Sequence, residues 1–276
     1  MFKKMKKFGK ELIEEFQKDD VPVLASSQAY YYLLAIFPML ILMLSLLPYF
    51  SIDSERVMGF ISSNVPGDTA DMLRENIVSV VDKPSGGLLT IGILGTLWSA
   101  SNGVNAFIKA ANIAYNVEET RSFIKVRLIS IGLTLGMILA IVVAIMLPVF
   151  GDVIITFVTD LLRLPDSTVI LFQILRWAVS IIVMAGVLMA LYHIAPNEKI
   201  PFKSIIPGAL TTAVLWQVIS LLFSFYISNF GNYSATYGSL GGIIILMLWF
   251  FLTGIILMVG AEINVITSRH RQSKHG

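Results

Sequence analysis

The chain has 276 residues, 56% of them hydrophobic and 14% charged, with 20 basic against 18 acidic side chains. A soluble domain carries about 25% charged residues, so this composition excludes an ordinary water-soluble globule and points to a membrane protein. Cysteine is absent, which excludes a disulfide framework, a thiolate nucleophile and a Cys-ligated metal.

Residues 1–20 carry Phe2, Met5, Phe8, Leu12, Ile13 and Phe16 at helical spacing with lysines between them. That pattern predicts an amphipathic helix, residues 1–24 with its lead into the membrane, lying in the headgroup layer. Anionic lipid would attract it; equally, the lysines could serve only to set topology. The segment has neither a continuous apolar core nor a small-residue cleavage site, so a cleaved signal peptide is not expected.

Six stretches of roughly 20 residues can then cross the hydrocarbon. They are Ser27–Phe50, Leu88–Ala110, Leu128–Phe150, Val169–Ile194, Ile205–Ser228 and Leu240–Ala261. The expected fold is all-α: a six-helix transmembrane domain over residues 25–264, followed by a cytoplasmic basic tail at 265–276. The second stretch is the weakest, because its latter half is polar. Between the first two lies Ser51–Gly87, an outer loop with two short amphipathic helices expected either side of Pro66–Gly67.

Charge orients the bundle. With both ends inside, the inner segments hold Lys3, Lys4, Lys6, Lys7, Lys10, Lys18, Lys109, Arg121, Lys125, Arg127, Lys199, Lys203, Arg269, Arg271 and Lys274. The outer segments hold only Arg56, Arg74, Lys83 and Arg163, whereas the acids divide evenly. A Lys/Arg excess without an Asp/Glu bias is the positive-inside signature, so both termini are expected in the cytoplasm.

Small residues recur at Gly132, Gly136, Ala140 and Ala144, and at Gly95, Ser99 and Gly103, marking faces where helices pack closely. Pro38 and Pro207–Gly208 should disturb the first and fifth spans. Arg176 lies about 12 Å along the fourth span from its outer end. It either faces the bundle interior or a wet cavity, or snorkels outward. No Asp or Glu sits in mid-span, which argues against a proton-coupled carrier. The candidate polar residues are Gln28, Tyr30, Tyr31, Asn102, Asn105, Gln217, Tyr226, Asn229 and Tyr233; they could line a cavity with Arg176 or bond one another between helices. Glu262 closes the last span and reads as a boundary anchor, with a partner sought in "EETRSFIKVR".

Catalysis is not expected. His193, His270 and His275 have no metal-binding spacing, and no nucleophile elbow, phosphate loop or dinucleotide fingerprint occurs. No cofactor, no metal and no nucleic-acid partner is expected; lipid is the expected partner.

The chain contains "ASSQAYYYLLAIFPMLI", "LGTLWSASNGVNAFIKAANIAYNVEETRSFIKVR", "LYHIAPN" and "FSFYISNFGNYSATYGSLGGIIILMLWFFLTGIILMVGAEIN", with Leu175–Arg176–Trp177 and Tyr237–Leu240. Together these segments resemble the YihY/BrkB family of bacterial inner-membrane proteins. The resemblance implies six spans with both ends inside a bacterial plasma membrane. It carries an old ribonuclease label, which the absence of a metal cluster in the sequence argues against. It supplies no catalytic residue. The expected function is transport or lipid handling in the cell envelope, with a non-catalytic envelope scaffold as the alternative.

Overall fold

The computed structural model describes residues 2–50, 55, 58–59, 85–139, 182–230 and 240–273, and the described segments are helical with short connections. The expected helices within Ser51–Gly87 lie outside the described residues except for Glu55, Met58 and Gly59, which are helical, and Ala140, Ala144, Arg176 and Tyr233 lie outside them altogether. The helices that the described residues trace over more than three turns are α1 (Phe2–Lys18), α2 (Val21–Leu46, continued by a 3-10 turn Leu47–Phe50), α3 (Gly86–Ala114), α4 (123–139), α5 (Ile182–Ile194), α6 (Phe202–Phe230) and α7 (Leu240–Gln272).

Three of these are long and apolar enough to cross a bilayer: Val21–Leu46, Phe202–Asn229 and Leu240–Gln272. The described residues therefore carry three such spans rather than the expected six. The reasons differ. The expected spans 128–150 and 169–194 run partly outside the described residues. The α3 helix is continuous over 29 residues, but the polar run Ser99–Asn105 leaves it short of the apolarity a free-standing span needs. The outward faces agree with lipid as the solvent: Leu221, Leu222 and Phe225 of α6 are 63%, 62% and 62% exposed. A contiguous apolar surface of that kind is not tolerated in water.

Helix ends follow local chemistry. At the end of α3 the Val117 N–H bonds the Asn112 carbonyl (3.0 Å) and the Asn116 N–H bonds that of Ile113 (2.9 Å), with Asn116 at φ 53°. That is a Schellman ending, and Asn is the residue other than Gly that tolerates it. Asp20, at φ 47°, separates α1 from α2 in the same left-handed conformation.

The chain divides into two units, Met1–Tyr30 with Val104–Gly276, and Tyr31–Gly103. Within the smaller unit, a Cβ added at Gly92, Gly95 or Gly103 would press on Leu42, Pro38 or Tyr32 respectively. As one set of numbers rises the other falls, so α3 runs antiparallel to α2 with glycines at the contacts. Gly95 and Gly103 belong to the expected small-residue face; Gly92 extends it.

In the larger unit α6 and α7 are also antiparallel. A side chain at Gly208 would collide with the Gly260 carbonyl and Asn264, and one at Gly260 with the Thr212 and Tyr192 hydroxyls. Farther along, Trp216 meets Trp249 edge-on at 5.8 Å. Pro207 has no N–H and crowds the carbonyl four residues back; the next amide, Gly208 N–H, donates to Asn264 Oδ1 at 2.8 Å. The disturbance expected of Pro207–Gly208 is thus repaired by a side chain from α7.

Candidate functional site

Three polar networks lie in the larger unit. The first ties the α3–α4 connection to the end of α5. Glu119 and Arg121 form a two-pronged pair, with Nε to Oε1 at 2.8 Å and Nη2 to Oε2 at 2.6 Å. Arg121 also donates to the Ala195 carbonyl at 2.8 Å and the Ile194 carbonyl at 3.3 Å, covering carbonyls that the end of α5 leaves open. Asn112 donates to Glu119 and accepts from the Asn197 N–H, while the Asn197 amide donates to the Glu118 carbonyl and Thr120. The hydrogen bonds from Arg121 hold the Glu119 carboxyl below its ordinary pKa, against the opposing effect of burial.

The second network is buried between α5, α6 and α7. Tyr192 is fully buried and its hydroxyl donates to the Leu257 carbonyl at 2.8 Å. Its one proton being used there, the Thr212 hydroxyl at 2.8 Å serves as donor to Tyr192.

The third network is incomplete. Glu15 of α1, Asp19 of the α1–α2 turn and Glu262 of α7 bring one carboxylate oxygen each within 4.8 Å of one another. Glu15 is well matched: Arg269 Nη1 lies 2.5 Å from Oε1 and Lys18 Nζ 3.2 Å from Oε2. Burial alone would raise its pKa, but these two cations hold it below the usual value. Asp19 Oδ1 is 3.8 Å from Lys18. Asp19 Oδ2 and both oxygens of Glu262 are buried with no donor among the described residues. Glu262 itself is 0% exposed. Burial pushes the Asp19 carboxyl up. Asp19 and Glu262 each bring an oxygen within 4.8 Å of the other, and two carboxyl groups can hydrogen-bond directly only when one carries a proton. The Tyr115 hydroxyl is also buried without a donor or acceptor among the described residues.

Two expectations change here. Glu262 is not paired with the α3–α4 segment, whose Arg121 is fully engaged elsewhere; it faces α1 and the turn after it. Acidic groups do converge in this fold, because α1 docks on the end of α7 through Glu11–His270 (2.8 Å), Glu15–Arg269 and the edge of His270 against Phe8. The half-buried face of α1 contains Glu11 and Glu15 as well as Phe8, Leu12 and Phe16, while Lys6, Lys7 and Lys10 remain exposed.

The expected site residues are distributed as follows. Gln28 is buried and its amide bonds the Leu24 carbonyl of its own helix; Asn229 is exposed and bonds that of Phe225. Tyr31, Asn102, Asn105 and Gln217 are half-buried, Tyr30 and Tyr226 exposed. Gln28, Tyr30, Tyr31, Asn102 and Tyr226 each have an interaction partner, and the Asn105 carbonyl oxygen is buried without a hydrogen bond. Two apolar cavities occur instead. One of about 330 Å³ is lined by α4 and α5, including Gly132, Gly136, Met137 and Ala190; the other, of about 290 Å³, by Ser26 and Ala29 of α2 with Met247 and Phe251 of α7. None of the eight described polar residues lines either. A side chain added at Gly132 or Gly136 would meet no described atom within 4 Å, so this part of the small-residue face lines a cavity rather than a described helix contact.

The geometry defines a polytopic helical membrane protein with polar networks at helix ends and apolar cavities along its length. The sequence model of the family described as Virulence factor BrkB matches residues 12–276, and the chain belongs to that family. It is 43% identical over 265 residues to the ribonuclease-like protein YfkH of Bacillus subtilis, covering 96% of each chain. It is 29% identical to a UPF0761 membrane protein of Vibrio vulnificus (93% of this chain, 81% of the relative) and 30% to one of Vibrio campbellii (93% and 81%). No solved structure matches. The protein is thus a multi-pass protein of a bacterial membrane.

Proposed function

We propose that this protein handles membrane lipid in the bacterial cell envelope, as a six-span protein of the plasma membrane with both termini in the cytoplasm. The observation that carries the reading is the cavity between α4 and α5. It is apolar, about 330 Å³ in volume, and bordered by Gly132 and Gly136 where larger side chains would fill it. In a membrane, an apolar concavity suits an acyl chain rather than a polar solute. The uneven distribution of Lys and Arg supports the orientation. In this reading residues 1–24 form the interfacial segment, with exposed Lys6, Lys7 and Lys10 toward anionic headgroups. Residues 25–264 form the transmembrane domain and 265–276 the basic tail. Arg176, Gln28, Tyr31, Asn102, Asn105, Gln217, Tyr226, Asn229 and Tyr233 are the candidates for headgroup contact.

The ribonuclease-like name of YfkH is not carried over. Of the three converging carboxylates among the described residues, Asp19 and Glu262 are buried, Glu262 at 0% exposure, and a polymeric substrate does not reach them. The test is photo-crosslinking with a phospholipid that bears its reactive group on the acyl chain, in membranes containing the full chain. Labelling of α4 and α5 that falls sharply in Gly136→Leu supports lipid handling. Uniform labelling unaffected by that substitution sinks it and favours the envelope scaffold.

A further inference from the structure

We infer that Glu15, Asp19 and Glu262 form a binding site for a hard divalent cation that staples the N-terminal helix to the last membrane helix. The clustering of acids is only the start of the argument. Glu262 is fully buried and aimed into the cluster with both oxygens lacking a donor among the described residues, and Asp19 Oδ2 faces it in the same condition. Ionised carboxylates are acceptors only. Two of them left facing each other away from water require something positive between them, since an uncompensated buried charge is strongly destabilising.

The dimensions fit a metal ion. Ligands opposite one another stand about 4.6–5.2 Å apart around Ca²⁺ and about 4.0–4.2 Å apart around Mg²⁺. The three carboxylate oxygens lie within 4.8 Å of one another. An all-oxygen, all-carboxylate donor set selects hard ions such as Ca²⁺, Mg²⁺ and Mn²⁺.

Charge balance also fits. Lys18 is half exposed and bonds Asn116 Oδ1 at 3.4 Å as well as Glu15. If Lys18 turns to Asn116 and solvent, three carboxylates face Arg269 and one divalent ion, and the buried group is neutral. The ligands come from α1, the α1–α2 turn and α7. Ion occupancy therefore controls how firmly α1, with its exposed lysines, is held to the bundle.

The experiment is a Mn²⁺ titration of the full chain in detergent after stripping with EDTA, followed by the EPR signal of free Mn²⁺. The expected result is uptake of about one ion per chain, competed by Ca²⁺ or Mg²⁺. Losing a direct ligand exceeds the roughly 10- to 100-fold loss caused by outer-shell changes. Glu262→Gln and Asp19→Asn should therefore each weaken uptake by more than about 100-fold. Glu14→Gln, an exposed carboxylate on α1 paired only with Lys10, should bind like the wild type. No uptake by the stripped wild type overturns the proposal whatever the variants do. So does undiminished uptake by Glu262→Gln. A melting temperature that responds to pH but not to added Mn²⁺ or Ca²⁺ also overturns it, in favour of a proton shared by Asp19 and Glu262.

Discussion

The α3–α4 connection and the Glu262 cluster are both built on carboxylates, yet they are finished differently. Around Glu119 each oxygen has donors: Arg121 Nε and its own backbone N–H reach one, Arg121 Nη2 and the Asn112 amide the other. Around Glu262 no donor among the described residues reaches either oxygen. A network that serves only to hold the fold has every reason to match acceptor with donor, because an orphaned buried group costs about 1–3 kcal/mol and more when charged. The first region meets that condition from within the chain. Among the described residues the second does not, and the proposed cation is what would complete it.

Breaking the closed region should have the largest effect. Arg121→Ala leaves Glu119 and the Ile194 and Ala195 carbonyls without their main donor. With Arg121 9% and Glu119 30% exposed, the loss is expected at roughly 2–3 kcal/mol, below the full cost of breaking a buried pair because Glu119 is partly solvated. Denaturant unfolding in detergent measures it. Arg121→Lys should recover little, since an ammonium cannot reproduce the two-pronged geometry. Next comes Tyr192→Phe, which removes the second hydrogen bond to the Leu257 carbonyl and the Tyr192 partner of the buried Thr212 hydroxyl. A loss of about 1–2 kcal/mol is expected from the same assay. An unchanged midpoint would show that water replaces the hydroxyl at no cost.

The open region should behave in the opposite sense. With divalent ions chelated, Glu262→Gln removes a buried charge that no hydrogen-bond donor among the described residues meets. The variant should be no less stable than the wild type, and up to about 1 kcal/mol more stable. With ions present the order reverses, because only the wild type gains binding energy. A variant less stable than wild type in EDTA would mean that Glu262 is already matched, and the contrast between the two regions would disappear.

Sequence alone conveyed the class and some of the packing. The apolar runs that became Val21–Leu46 and Phe202–Phe230 are long enough to be read without a partner, and Gly95 and Gly103 mark the α2–α3 contact by spacing. The α3 helix was harder, because its polar half makes sense only beside neighbours. The partners of Glu262 could not be read. Its companions Glu15 and Asp19 lie more than two hundred positions away, and they meet it only because α1 folds back onto the end of α7. Asn112, Arg121 and Asn197 were visible as parts of motifs. Their hydrogen bonds explain why "NVEETR" and "LYHIAPN" belong together, but spacing gave no sign that they touch. The α4 glycines read as a packing face; the described structure gives Gly132 and Gly136 a cavity instead.

The smallest expected effect is one of pH, and it separates the closed network from any general sensitivity to acid. Hydrogen bonding to Arg121 depresses the Glu119 carboxyl below its unfolded value. The folded state therefore binds this proton less readily than the unfolded state, and stability rises with pH across that interval. The contribution is complete above the unfolded carboxylate value near 4.3 and fades as pH falls through the depressed folded value. Amide hydrogen exchange of residues 115–122 should thus quicken below about pH 4 in the wild type. In Glu119→Gln the same amides should exchange faster at neutral pH and lose that acid-dependent step. If the step persists in the variant, another carboxyl governs the connection, and the matching of donors around Glu119 is not what holds it.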